Sequence, residues 1–337
     1  MQQWEDDVKG RQSSRRSVLN AILFGGAALA LSASGPASAQ DWPTRNITVV
    51  VPLGAGSASD IMARVVMEQV GKQLGQTVVI ENRPGAGGTI GANQVAKSAP
   101  DGYTVLAYGA LATAHALYAK LPYDTVNDFI PVIPFGQQPL VVITAPSKYK
   151  TLGDLIAAGK AKADGIDYST AGAGSASHFG AERLRASAGF KAQHIPFKGA
   201  AEAVTEVVAG RIDFSVQLPT TTLPLLRDGK LAALAVSANK RSGLFPDVPT
   251  FIEAGLPAEA IYPFYSGLFL PAKTPRAIVE RLHREAAAAL QTEAVQTRFK
   301  QLGVEAMPMN LEQFAKFVRD DVEATVALAK AANIQTQ

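Results

Sequence analysis

The segment ITVVVPLGAGSASDIMARVV, residues 47–66, runs from β-branched residues through a cluster of small ones into an apolar repeat. Ile47 to Val51 reads as a buried strand, and Ile61 to Leu74 as a helix, with Met62, Val66, Val70 and Leu74 spaced four apart. Between them, Gly54, Ala55, Gly56, Ser57, Ala58 and Ser59 leave the backbone open to close approach. The helix that follows points its unpaired N–H groups into the same space, and such a corner favours an anion. Phosphate, dinucleotide and carboxylate all qualify at this point.

Working outward, Thr77 to Glu81 is the next predicted strand, and NRPGAGGTIGANQVAKSAPDGYTVLAYG, residues 82–109, repeats the theme. It holds a glycine turn at Gly85 to Gly88, a helix from Thr89 to Ser98, a Pro-Asp-Gly turn and a strand from Tyr103 to Tyr108. Strands alternating with helices predict a parallel sheet covered on both faces, with ligands outside the carboxyl ends of its strands. A second series starts with a strand from Leu140 to Thr144 and a capping box at Thr151 and Asp154 that opens a helix to about Ala163. A strand at Ile166 to Ser169 then feeds TAGAGSASHFGAERLRASAG, residues 170–189, another small-residue turn before a helix. A strand near His194, the segment PFKGAAEAVTEVVAG, and strands at Ile212 to Val216 and Leu231 to Val236 complete a second α/β domain. The segment IYPFYSGLFLPAKTP, residues 261–275, reads as a crossover strand. The tail from Pro275 is nearly all helix, with Leu290, Leu302 and Phe317 among its anchors, and is expected to pack on the first domain. The expected architecture is two α/β lobes around a cleft: residues 40–140 and 265–337 in one, 141–264 in the other, hinged near Leu140 and Tyr262.

The start of the chain, SRRSVLNAILFGGAALALSASGPASAQ at residues 14–40, has a basic pair, an apolar stretch from Val18 to about Leu31 and the triplet Ala37-Ser38-Ala39. This order predicts a signal peptide cleaved after Ala39 and a mature protein in the periplasm. Arg15 and Arg16 with their neighbours also resemble the twin-arginine motif, so both export routes fit. The apolar stretch is too short to span a bilayer, and no comparable run follows. Cleavage leaves about 300 residues, a length at which one core usually gives way to two domains. The chain carries 32 basic and 29 acidic residues, and the leader holds four of the former and three of the latter. A mature net charge of about +2, dispersed along the chain, argues against nucleic-acid binding. There are no cysteines, which excludes disulfides and thiolate metal sites.

The small-residue turn partly matches a dinucleotide fingerprint, with Glu81 where an acidic residue would meet a ribose, so an exported dinucleotide-dependent oxidoreductase is the rival reading. Against it, Ser59 stands at the third glycine position. No lysine follows the turn as a phosphate loop requires, and the G-x-S-x-G nucleophile elbow is absent. Ser177 and His178 are adjacent at the start of a helix. Ser177 reads as a cap and His178 as a packed or solvated residue before either reads as catalytic. His115, His178, His194 and His283 show no metal-ligand spacing. The turns at Gly85 to Gly88 and at Lys198-Gly199 each admit a ligand or a purely structural role.

With these residues in view, the chain resembles the Bug family of extracytoplasmic solute receptors. The likeness is carried by VPLGAGSASDIMARVV, GQTVVIENRPGAGGTIGANQVAKSAPDGYTVL, LPYDTVNDFIPV, HIPFKGAAEAVTEVVAGRIDF, LRDGKLAALAVSANKRSGLFPDVPTFIEAG and LFLPAKTP. The resemblance implies a type II periplasmic binding protein fold and a non-enzymatic role. The receptor would capture a small carboxylate or dicarboxylate, without cofactor or metal, and deliver it to the permease subunits of a tripartite tricarboxylate transporter, working as a monomer. Carried over residue by residue, it implies ligand contacts from Leu53, Gly54, Ala55, Gly56, Ser57 and Ser59 on one side. Thr170, Ala171, Gly174, Ser175 and Ser177 are implied on the other, and the resemblance also suggests Tyr108, Gly109 and Gln217. The chain departs from the family's Phe-x-Pro-Gly-Gly pattern at Leu53 to Ser57, and YGALATAHALY, residues 108–118, is less typical than its surroundings.

Overall fold

A computed structural model describes residues 42–331 and residue 334; the expected leader and its cleavage site lie outside the described residues. The chain begins with β1 (Ile47–Val51), α1 (Ala58–Leu74), β2 (Val78–Asn82), α2 (Thr89–Ala96), β3 (Thr104–Tyr108), α3 (Leu111–Leu117) and β4 (Phe129–Gln138). It continues through β5 (Val141–Thr144), α4 (Leu152–Ala161), β6 (Ile166–Thr170), α5 (Ala176–Ala188), β7 (Ala192–Pro196), α6 (Ala200–Val208), β8 (Phe214–Gln217), α7 (Pro219–Arg227) and β9 (Ala232–Val236). It then returns through β10 (Phe264–Pro271) to α8 (Arg276–Leu290), α9 (Glu293–Leu302) and α10 (Leu311–Ala331).

The strands form two five-stranded sheets, ordered β2-β1-β3-β10-β4 and β7-β6-β8-β5-β9. In the first, β1 lies parallel to β2 and β3, while β10 runs antiparallel to β3 and β4. In the second, β6 lies parallel to β7 and β8, and β5 runs antiparallel to β8 and β9. Each sheet thus has the predicted parallel βαβ centre and gains one antiparallel strand, β10 or β5, with an edge strand beyond it, β4 or β9, that runs in the direction of the centre again. The two lobes have separate cores: Val50, Leu106, Tyr108, Phe269 and Phe314 in one, Val142, Leu155, Tyr168, Phe214 and Phe251 in the other. Burying each large apolar side chain contributes about 1.5 to 3 kcal/mol.

Three elements have no counterpart in the sequence reading. β4 contains Pro131 and Pro134, which argue against a central strand; it lies at the sheet edge, with register shifts opposite Ser266/Gly267 and Leu268/Phe269. α3 is buried on nearly every side and so shows no amphipathic period. α7 carries Pro219 at its first turn and Pro224 inside. The helical tail does pack on the first lobe, α8 against α1 and β4, and α10 against α3 and β4. Its anchors differ, however: Leu290, Leu302 and Phe317 are only half-buried, and the buried stripe is Ile278, Val279, Leu282, Phe299, Phe314 and Val318. No helix among the described residues is long and apolar enough to cross a membrane.

Candidate functional site

The loops that leave the carboxyl ends of β1, β3, β6, β7 and β8 meet around a cavity of about 460 Å³. Strand ends of α/β sheets collect ligands because the helices that follow them begin there and aim their free N–H groups inward.

On the first lobe, α1 starts at Ser57, whose backbone is extended and whose Oγ accepts from the Asp60 N–H. Ser57 N–H bonds Gly54 O, so Ala58 and Ser59 keep N–H groups without a partner among the described residues. The turn is braced from below. The carboxylate of Asp60, nearly fully buried, accepts from Gly56 N–H at 2.9 Å, from Arg64 Nε at 3.0 and 3.1 Å and from Asn82 Nδ2 at 3.0 Å. Asn82 also donates to Leu53 O at 3.0 Å. Burial pushes the Asp60 carboxyl up, but the bonds from Arg64, Gly56 and Asn82 outweigh it and hold it below the usual carboxylate range. Neither Asp60 nor Asn82 was singled out from the sequence; a carboxylate three residues after a serine cap was the available signal.

On the second lobe, α5 starts at Ser175, not at Ser177 as the sequence suggested. Ser175 Oγ donates to Gly172 O at 2.7 Å and accepts from His178 N–H at 3.3 Å. With that proton committed, the 2.9 Å pair between Ser175 and Ser177 is closed by Ser177 donating, while Ser177 Oγ accepts from Ala171 N–H at 2.9 Å. Ser177 therefore ties the turn together. As on the first lobe, the N–H groups of the first two helical residues, Ala176 and Ser177, have no partner among the described residues. Below the turn, His178 and His194 stack with ring centroids 4.0 Å apart. His178 Nδ1 accepts from Gly174 N–H at 3.3 Å, and His194 Nε2 meets Thr170 Oγ1 at 2.6 Å. Burial, helped by the charge of His194, pulls His178 down to about 4, which keeps it neutral and packed.

Two further helices open on the cavity. α6 follows Gly199 with no side-chain cap, and Ala200 and Ala201 line the wall; α7 follows Leu218, and Thr220 and Thr221 line it. Lys198 brings a cation, Leu53, Leu218 and Phe264 bring apolar surface, and no acidic residue among the described residues lines the cavity. The arrangement can hold an anion from both sides by N–H and hydroxyl donors, with the Lys198 ammonium in the same wall.

Of the residues expected at the site, Leu53, Gly54, Ala55, Gly56, Ser57, Tyr108, Ala171, Gly174, Ser175, Ser177 and Gln217 line this cavity. Ser59, Gly109 and Thr170 do not. The Ser59 side chain is buried, Thr170 is turned to His194, and Gly109 is glycine because a Cβ there would stand 1.7 Å from Tyr265 O on β10. Gly87, in a turn whose sequence admits a ligand or a purely structural role, lines the cavity beside Tyr108, whose hydroxyl donates to Gly87 O at 2.5 Å. Glu81, the residue the dinucleotide reading needs, pairs with Arg83 and is absent from the lining.

The sequence pattern described as the tripartite tricarboxylate transporter family receptor matches residues 62–334. BugT of Bordetella pertussis is 35% identical over 294 residues, 86% of this chain and 90% of BugT. Among solved structures, MatC from Rhodopseudomonas palustris with bound malate is 32% identical with a TM-score of 0.78, covering 85% of this chain and 99% of that one. A second R. palustris protein, solved with adipate, is 29% identical with a TM-score of 0.82, covering 88% and 100%.

Proposed function

Because the chain belongs to the tripartite tricarboxylate transporter family of receptors, which are periplasmic solute-binding proteins and not enzymes, we propose that it captures a small organic acid in this cavity and delivers it to the permease subunits of such a transporter. One observation carries the carboxylate assignment. Open N–H groups of Ala58 on one lobe and of Ala176 and Ser177 on the other stand at one cavity, and no acidic residue among the described residues lines it. Malate and adipate, the ligands of two relatives, each carry a carboxylate at both ends. Hydrogen bonds to a charged group contribute about 1.5 to 3 kcal/mol each, so a few per lobe offset the ordering cost and give micromolar binding, about −8 kcal/mol. The receptor begins at Gln40 after cleavage and works as a monomer. Mass spectrometry of periplasmic extract and light scattering check those two points.

A thermal-shift screen of mono-, di- and tricarboxylates on the purified mature chain tests the reading. A ligand at 100 times its Kd stabilises by about 2.7 kcal/mol, so a cognate acid raises the melting temperature by several degrees. A screen in which no carboxylate does so overturns the assignment.

A further inference from the structure

Gln217 ends β8 in the cavity wall and is only 3% exposed. Its Nε2 donates to Ser215 Oγ at 2.9 Å, and Ser215 Oγ donates its own proton to Ser169 O at 2.5 Å. A hydroxyl has a single proton, so Ser215 can only accept from Gln217, and this fixes which way the amide faces. The Gln217 Oε1 oxygen is thereby left as an acceptor with no partner among the described residues. Around it the cavity offers mainly donors: the open N–H groups, the Ser57 hydroxyl and the Lys198 ammonium. A carboxylate oxygen placed against Oε1 would meet another lone pair. A hydroxyl or amide N–H would satisfy it. An ammonium would donate too, but with no Asp or Glu among the described residues of the lining it would lose its hydration without gaining a counter-charge from the wall.

We propose that the cavity selects hydroxycarboxylates, with Gln217 Oε1 accepting the ligand's hydroxyl; this rests on the carboxylate reading above and names the class within it. Ser215 acts as a positioning residue by holding the amide in one orientation.

Succinate, malate and aspartate share one skeleton and differ at C2 by a hydrogen, a hydroxyl or an ammonium. Calorimetry on the mature chain compares these three, both enantiomers where they exist, with the pairs propionate/lactate, glutarate/2-hydroxyglutarate and adipate/2-hydroxyadipate. At each length that binds, the hydroxylated acid should bind about fivefold or more tighter than its parent, as one extra neutral hydrogen bond gives, and aspartate no tighter than succinate. In a folded Gln217→Met variant the ratio of the hydroxylated acid's affinity to that of its parent should shrink to within about twofold, whatever the change in absolute affinity. Ser215→Ala, which frees the amide to turn, should weaken the preference in the same direction and serves if Gln217→Met does not fold. Equal binding of hydroxylated and parent acids, or tighter binding of aspartate, overturns the inference and leaves the carboxylate reading standing. Failure of every acid to bind overturns that reading and this inference with it.

Discussion

Replacing Ser177 by Ala removes the acceptor of the Ala171 N–H, at 2.9 Å, and the donor to Ser175. Leaving a buried N–H unpaired costs about 1 to 3 kcal/mol, so the variant should melt earlier. Its affinity should fall less than about tenfold, because the ligand loses a well-held turn and not a direct contact. A hundredfold loss by calorimetry with unchanged melting would show the hydroxyl on the ligand instead. Gly56 sits at φ +80°, where a Cβ would meet no protein atom. A valine there is strained by roughly 1 to 2 kcal/mol or more and pushes its methyl groups into space that the cavity wall leaves open. Gly56→Val should therefore lose binding out of proportion to its stability, and normal binding by the folded variant would remove this turn from the site. His178 supplies a pH dependence. Its folded pKa, lowered to about 4, lies below the unfolded value of about 6.5, so the unfolded chain takes up a proton that the fold refuses. The stability is fully present above about pH 6.5 and is lost as pH falls toward 4; Glu182, facing the stack, works against the shift, and Arg185 with it. Melting followed across that range should show a shallower fall for His178→Gln than for wild type.

At the scale of elements, two serine- or threonine-capped helices separate local stability from site geometry. Thr151 caps α4 in a full capping box with Asp154, on the surface and away from the cavity. Ser175 caps α5 and also donates to Gly172 O in the cavity-lining turn. Either cap changed to alanine should cost about 0.5 to 2 kcal/mol. Only Ser175→Ala should weaken ligand binding as well, and equal binding by both variants would detach the α5 turn from the site. Elements with a local signature were legible from sequence: the capping box is there as read, and β1 spans the five residues assigned to it. β4, α3 and α7 were not, because their prolines and unbroken burial are tolerated only by their places at a sheet edge, inside a packed lobe or at a helix start.

For the whole molecule, binding should be coupled to closure. Leu117 of α3, on the first lobe, lies against Gly174 in the second lobe's turn, so closely that a Cβ at Gly174 would stand 2.4 Å from Leu117 Cδ1. Gly174→Ala should therefore hold the lobes apart and weaken binding, beyond the strain of its φ of +80°. Adding Leu117→Ala should restore part of the affinity by giving the new methyl room. If the double variant binds no better than the single one, the loss comes from backbone strain alone. Small-angle scattering should show compaction of the wild type with a bound acid, about hinges near Leu140 and Tyr262, and a smaller change in Gly174→Ala.

Hydrophobic period, glycine placement and caps act over a few residues, and so the sequence by itself determined the strand-turn-helix corners, the two α/β series and the resemblance that names the family. It also placed most of the small residues that line the cavity, since a close backbone approach demands them locally. Which polar groups stay free for a ligand was decided only by tertiary structure. Gly56 loses its N–H to a carboxylate braced by Asn82 of β2, Gly109 is glycine because β10 returns beside it, and Ser177 turns inward to Ala171. Gln217 is left with a bare oxygen because Ser215 gives its proton to Ser169 on the neighbouring strand. A hydrogen-bond partner brought in by another strand leaves no periodic trace in the sequence, yet each donor and acceptor has a fixed capacity, and these long-range pairings decide what remains for the ligand.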